Sequence, residues 1–215
     1  MSLILASASP RRQELLSHLG VHFEVVVSGF DEPSISAVRP AALAKQLAAA
    51  KAGEGAAAHP GATVLAADTV VALAGRLLGK PDDPASARRM LHDLRGRVHR
   101  VTTGVALLAP GAKRPLLAHV VTRVRMRRYT DAEVDASIEA GIPFDKAGGY
   151  GIQDAILYPV QACEGCYCNV MGLPLWTVVR MLHATGLHVD TSALPERCAT
   201  CPDRTVAGQA LLARG

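Results

Sequence analysis

Residues 3–19 read LILASASPRRQELLSHL, and the change of pattern inside them decides the fold class. Four apolar residues in a row, Leu3 to Ala6, make a short buried strand. Beyond Ser9, the leucines Leu15, Leu16 and Leu19 recur at the spacing of one helix face. Ser9 stands where an N-cap belongs and Pro10 where a helix tolerates proline best. A strand therefore runs through a serine-rich turn directly into a helix. Arg11 and Arg12 fall in the first helical turn, where the backbone dipole is already positive, and each is disfavoured there by about 0.3–1 kcal/mol when exposed. A bound polyphosphate would reverse that sign. Backbone N–H groups at a helix start, the hydroxyls of Ser7 and Ser9 and two guanidinium groups together form a phosphate-binding arrangement. The plainer alternative is a solvated pair of surface arginines.

Working outward, 23–28 (FEVVVS), 62–73 (ATVLAADTVVAL), 98–109 (VHRVTTGVALLA) and 116–129 (LLAHVVTRVRMRRY) read as strands. The last two are joined by the turn PGAKRP. Helical spacing predicts helices over 41–52, 83–96, 130–141 and 172–186, the third opening on a capping box of Thr130 with Glu133 and stopping at Gly141. Residues 31–40 read as a loop, and 144–153 (FDKAGGYGIQ) as a glycine-rich loop. Strands and helices mixed along the chain, with hairpin-like pairs, predict an α/β fold on a mixed sheet flanked by helices. Residues 1–189 form the main domain, and the irregular stretch 190–215 is an appendage.

The net charge of +4 is mild, and the arginines are dispersed rather than gathered in a basic arm. Aromatic residues are only 4% of the chain, so no aromatic platform for nucleic acid stands out. No apolar run reaches the ~18 residues of a membrane span. The start MSLILASASPRR turns polar too soon for a secretory signal. These features predict a soluble, cytoplasmic protein that binds neither nucleic acid nor membrane.

Asp68 is the most pointed signal. A carboxylate inside the apolar run VLAADTVV costs several kcal/mol unless it is paired or meets a metal, and an Asp that merely opens a turn is the alternative. Lys80 sits in LGKP (78–81) between Gly79 and Pro81, a stiff loop that fixes its ammonium. Asp31 and Glu32 are the carboxylate pair of the first loop, and Lys51 ends the alanine-rich helix; singly, each also fits a solvated surface charge. In DKAGGYGIQ the lysine precedes the glycines, so neither phosphate-loop nor dinucleotide-fold mechanics applies. Three glycines in four residues still admit a close ligand. Lys146 then offers a cation for phosphate and Gln153 an amide for a base edge.

Together LASASPRRQELL, ADTVV, LGKP, MLHDLRGRVHRVTTGVAL, DKAGGYGIQ and NVMGLPL, in this order over residues 3–186, closely resemble the Maf family of nucleotide pyrophosphatases. The form of the glycine-rich loop is similar to the group acting on dTTP and UTP rather than the 7-methyl-GTP group. The resemblance implies hydrolysis of a nucleoside triphosphate to monophosphate and pyrophosphate with a divalent cation (Mg, Mn or Co). It also implies an elongated mixed sheet in two lobes with a central cleft, as in ITPase-like folds, and admits a homodimer. Matched positions make Asp68 the proton acceptor and a metal ligand. Arg11 or Arg12, Thr69 and Gln153 match positions tied to substrate choice, and Glu32, Lys51 and Lys80 match the metal and triphosphate site. Asp154 departs from the pattern, which has a small residue there. The rival readings are a sister specificity for purine or 7-methyl-GTP nucleotides, a non-catalytic septum-formation regulator, and a nucleic-acid binder.

All five cysteines lie in CEGCYC and CATC, residues 163–201. Two C-x-x-C pairs, Cys163 with Cys166 and Cys198 with Cys201, fit a four-thiolate structural zinc site with Cys168 spare. Free thiols or a disulfide are the alternatives.

Overall fold

The computed structural model of the protein describes residues 2–27, 29 and 39–205. The strands are β1 (Leu3–Ala6), β2 (Glu24–Val26), β3 (Thr63–Leu73), β4 (Arg76–Leu78), β5 (Val98–Leu108), β6 (Leu116–Met126) and β7 (Val160–Glu164). They form one sheet in the order β2-β1-β3-β5-β6-β7, with β4 paired to β3 alone. The sheet is mixed, as expected: β1 runs parallel to both β2 and β3, in the register Ile4 to Glu24 and Ile4 to Val64. β4 is antiparallel to β3, and β7 to β6. The helices are α1 (Pro10–Ser17), α2 (Pro40–Ala58), α3 (Pro84–Leu94), α4 (Asp131–Glu139), α5 (Tyr167–Met171) and α6 (Leu175–Ala184). Among the described residues no helix is long and apolar enough to cross a membrane.

The chain divides into two compact units. One comprises Met1–Thr69, Thr102–Val121 and Cys166–Gly215; the other comprises Val70–Val101 and Thr122–Gly165. The first unit's core is small-residue aliphatic, with Ile4, Ala6, Ala48, Ala52, Val64, Ala66 and Ala106 in one cluster. Alanines on α2 let helix and sheet approach until backbone meets backbone. A Cβ added at Gly104 of β5 would lie 2.3 Å from the Ala44 carbonyl carbon, far inside contact distance. In the second unit the capping box of Thr130 and Glu133 opens α4. Nearby the buried Tyr129 hydroxyl donates to the Leu91 carbonyl at 2.5 Å.

Several boundaries differ from the sequence reading. α2 runs past residue 52 to Ala58. Its Gly55 does not stop it, because a Cβ there would come within 2.9 Å of Val64 Cγ1 and the helix gains by having none. The last helix begins at Leu175, since Gly172 takes φ 113° to end the short α5 and Pro174 caps α6. β2 is shorter than 23–28 and β6 stops at Met126. Ser9 occupies the N-cap position of α1 but its side chain makes no capping bond. The short elements β4, β7 and α5 have too few residues to show a period. The loop 31–40, with Asp31 and Glu32, lies largely outside the described residues, and both carboxylates do.

Candidate active site

In the first unit β1 delivers Ser7 to the start of α1, and α1 turns Arg12 back over the serine turn. The Arg12 guanidinium donates three ways: Nε to the Gly172 carbonyl at 2.9 Å, one terminal nitrogen to Ser7 Oγ at 3.2 Å, the other to Thr69 Oγ1 at 3.2 Å. Gly172 is needed at this point, because a Cβ there would lie 3.2 Å from Arg12 Nε and 3.4 Å from Thr69 Oγ1. Ser7 Oγ also accepts the Ser9 N–H at 3.2 Å. Accepting two bonds leaves the Ser7 hydroxyl its own proton to donate. Arg11, one residue earlier, is half-buried in the same helical turn.

The hydroxyl network continues inward. Thr69 Oγ1 and Thr103 Oγ1 are 2.9 Å apart, and Thr103 Oγ1 donates to the Asn169 carbonyl at 2.9 Å. Since the single Thr103 proton goes to Asn169, the Thr69 hydroxyl is the donor to Thr103 and the acceptor from Arg12. Asn169 closes the chain by accepting the Thr103 N–H on Oδ1 at 3.1 Å. Thr69 is thereby fixed from both sides.

Beside Thr69 on β3, Asp68 is buried and its Oδ1 accepts from Lys51 Nζ, on α2, at 2.6 Å. A carboxylate in an apolar strand needs such a partner, and the close approach of α2 at Gly104 brings Lys51 within reach. Asp68, Thr69, Arg12, Ser7 and Lys51 thus share one unit, bound into two neighbouring clusters through consecutive residues of β3.

Three more of the expected site residues, Lys80, Lys146 and Gln153, belong to the second unit. Lys80 is exposed after β4, and Gln153 is exposed at the end of the glycine-rich loop. Lys146 donates to the Ile142 carbonyl at 2.6 Å and pairs with Asp145, closing its own turn. Asp154 is buried: Oδ1 accepts the N–H groups of Ile156 at 2.8 Å and Leu157 at 3.0 Å, and Oδ2 accepts from Ser137 at 3.1 Å. The departure from the resembled pattern at this position is thus a turn-capping carboxylate. Tyr150, within the loop, shares a 2.6 Å hydrogen bond with His99 Nε2, both side chains being buried. Burial pulls the His99 pKa down to about 4 and pushes the Tyr150 phenol up.

Cys163 lies on β7 in the second unit, whereas Cys166, Cys168, Cys198 and Cys201 all lie in the first. Sequence reasoning missed Thr103, Asn169 and Gly172. The only signals were two threonines inside an apolar strand and a glycine placed to end a helix.

Fold and clusters together define an α/β protein with a buried acid–lysine pair beside an arginine held by hydroxyls. The family described as "Maf-like protein" matches residues 2–185. A dTTP/UTP pyrophosphatase of Thermomicrobium roseum is 51% identical over 206 residues, 94% of this chain and 94% of that one. The dTTP/UTP pyrophosphatase of Symbiobacterium thermophilum is 46% identical over 88% of this chain and 96% of its own. A solved structure titled nucleoside-triphosphatase, dITP/XTP pyrophosphatase, from Mycobacterium abscessus is similar at 18% identity and a TM-score of 0.42, over 91% of this chain and 90% of that one. This chain belongs to the Maf-like protein family.

Proposed function

We propose that this protein hydrolyses dTTP and UTP to the monophosphate and pyrophosphate, with the first unit's polar cluster as its chemical centre. The observation that supports this reading most is the buried Asp68–Lys51 pair adjoining Thr69, whose hydroxyl Arg12 holds. Attack on the α-phosphorus requires a water that is oriented and partly deprotonated, and Asp68 is the carboxylate to take its proton. Lys51 fixes one oxygen of that carboxylate, so its orientation is set before substrate arrives. Arg12, at the positive end of α1, and the Ser7 hydroxyl proton stabilise charge that grows on the phosphate oxygens. The leaving pyrophosphate departs with the electron pair of the broken P–O bond. In this reading Ser9 and Arg11, of the same unit, also contact substrate.

A divalent cation fits this donor set. Magnesium commonly takes one or two carboxylates and completes its shell with substrate phosphates and water, rather than needing a cage of protein ligands. Among the described residues no three His, Cys, Asp or Glu side chains form such a cage. Asp68 would hold the ion, with Glu32 as the second expected ligand outside the described residues. When bound, it would neutralise phosphate charge and favour loss of a proton from water.

The test is a nucleotide panel run in ¹⁸O-labelled water with Mg²⁺, Mn²⁺ or Co²⁺. The expected outcome is pyrophosphate release, label in the monophosphate, and dTTP and UTP as preferred substrates. Release of single phosphates overturns the reaction; preference for purine or 7-methyl-GTP nucleotides overturns the specificity.

A further inference from the structure

Residues 186–205 contain only two short 3-10 turns, Glu196–Cys198 and Pro202–Arg204, too little to build a core. They are nonetheless ordered against α5 and α6. The Trp176 indole donates to the Cys198 carbonyl at 2.9 Å, and Asp203 accepts from Arg180 at 2.7 Å and from Thr177 at 2.8 Å. At the centre of this contact four thiols are buried, Cys166, Cys168, Cys198 and Cys201, each 7% exposed or less. Cys168 Sγ lies 3.6 Å from Cys198 Sγ. Cys166 and Cys201 form the second hydrogen-bonded pair, and the charge of Cys201 acts on Cys168 and Cys198 as well.

We propose that Cys166, Cys168, Cys198 and Cys201 are the four ligands of one structural zinc ion that clasps residues 195–205 to α5 and α6. A tetrahedral zinc–thiolate site with Zn–S near 2.3 Å has sulfur–sulfur edges of about 3.8 Å, and the Cys168–Cys198 separation already matches one edge. Backbone groups aim at the sulfurs: the Asn169 N–H donates to Cys166 Sγ at 3.4 Å, and the N–H groups of Asp203 and Arg204 donate to Cys201. Such donors stabilise a thiolate ligand and do little for a disulfide, which carries no charge. Arg197, stacked 4.3 Å over the Tyr167 ring, adds positive charge beside Cys168.

The four sulfurs stand here as two hydrogen-bonded pairs, not as a finished tetrahedron, and no three ligand-type side chains among the described residues are grouped as a metal site. Zinc binding breaks both sulfur–sulfur hydrogen bonds, forms four S–Zn bonds and releases the thiol protons to solvent. The ligand pattern is then C-x-C with C-x-x-C, and Cys163 is excluded.

Full-length protein purified without chelator tests this directly. Elemental analysis should find about one zinc per chain. Replacement by Co²⁺ should give the thiolate-to-cobalt charge-transfer and tetrahedral d–d bands of a four-sulfur site, a readout independent of turnover. Cys198→Ser should lose both signals, and Cys163→Ser should keep them. Removing zinc from the wild type with a chelator should expose residues 195–205 to protease, which keeps the test open if a variant fails to fold. Metal-free protein without cobalt bands overturns the proposal, as do two disulfides found under non-reducing conditions; loss of metal on Cys163→Ser overturns the ligand set.

Discussion

Arg12 in the first unit and Lys146 in the second are both cations set among small residues, yet they are held in opposite ways. Arg12 reaches Thr69 and Gly172, partners from elements far along the chain, whereas Lys146 bonds Ile142 and Asp145 of its own turn. The acids repeat the contrast: Asp68 is held by Lys51 from another element, Asp154 by the N–H groups of residues just after it. A side chain fixed by distant partners is placed by the whole fold and stays rigid for chemistry. One fixed by neighbours is placed by turn geometry, and its first duty is to shape a loop.

The sharpest way to break this comparison is Asp68→Asn. The amide keeps the shape but accepts no proton, so kcat on dTTP should fall about 10²–10⁴-fold, and the melting temperature should drop as well because the buried Lys51 loses its charged partner. Pyrophosphate release measures it, and near-normal turnover would remove Asp68 from the chemistry.

Next comes acid sensitivity in the second unit. His99 stays neutral when folded, with its pKa at about 4 against 6.5 for the free side chain. As pH falls below 6.5 the unfolded chain takes up a proton that the buried imidazole refuses. Stability is therefore full above pH 6.5 and is lost progressively down to about pH 4, by about 3 kcal/mol in total. Denaturant midpoints across that range should show the slope, and His99→Gln should flatten it.

Arg12→Lys sharpens the contrast from the other side. A lysine cannot reach Ser7, Thr69 and Gly172 at once. Losing charged hydrogen bonds worth about 1.5–3 kcal/mol should lower kcat/KM roughly ten- to a hundred-fold. The smallest effect belongs to Asp154→Asn, where the bond from Ser137 is weakened and the turn retained. Unfolding free energy should drop by about 1 kcal/mol, with turnover of dTTP unchanged; a large activity loss would show that this turn does more than cap itself.

Asp68 and Arg12 were legible in the sequence because each breaks a local rule, an acid in an apolar strand and a cation at a helix start. The capping box of Thr130 and Glu133 was legible because its partners are three residues apart. Thr103 and Asn169 were not, since their pairing depends on β5 meeting α5, and no neighbouring residue signals it. β4 and β7 escaped for a related reason: three or five residues of mixed polarity carry no period, and their strand character comes from β3 and β6 beside them. Cys168 looked spare because spacing favoured two identical motifs, and its 3.6 Å separation from Cys198 is what brings it into the proposed ligand set.

Three strands, β3, β5 and β6, each begin in one unit and finish in the other, with the exchange falling at 69/70, 101/102 and 121/122. Neither unit is a continuous piece of polypeptide, so no single cut in the gene yields either as a cassette.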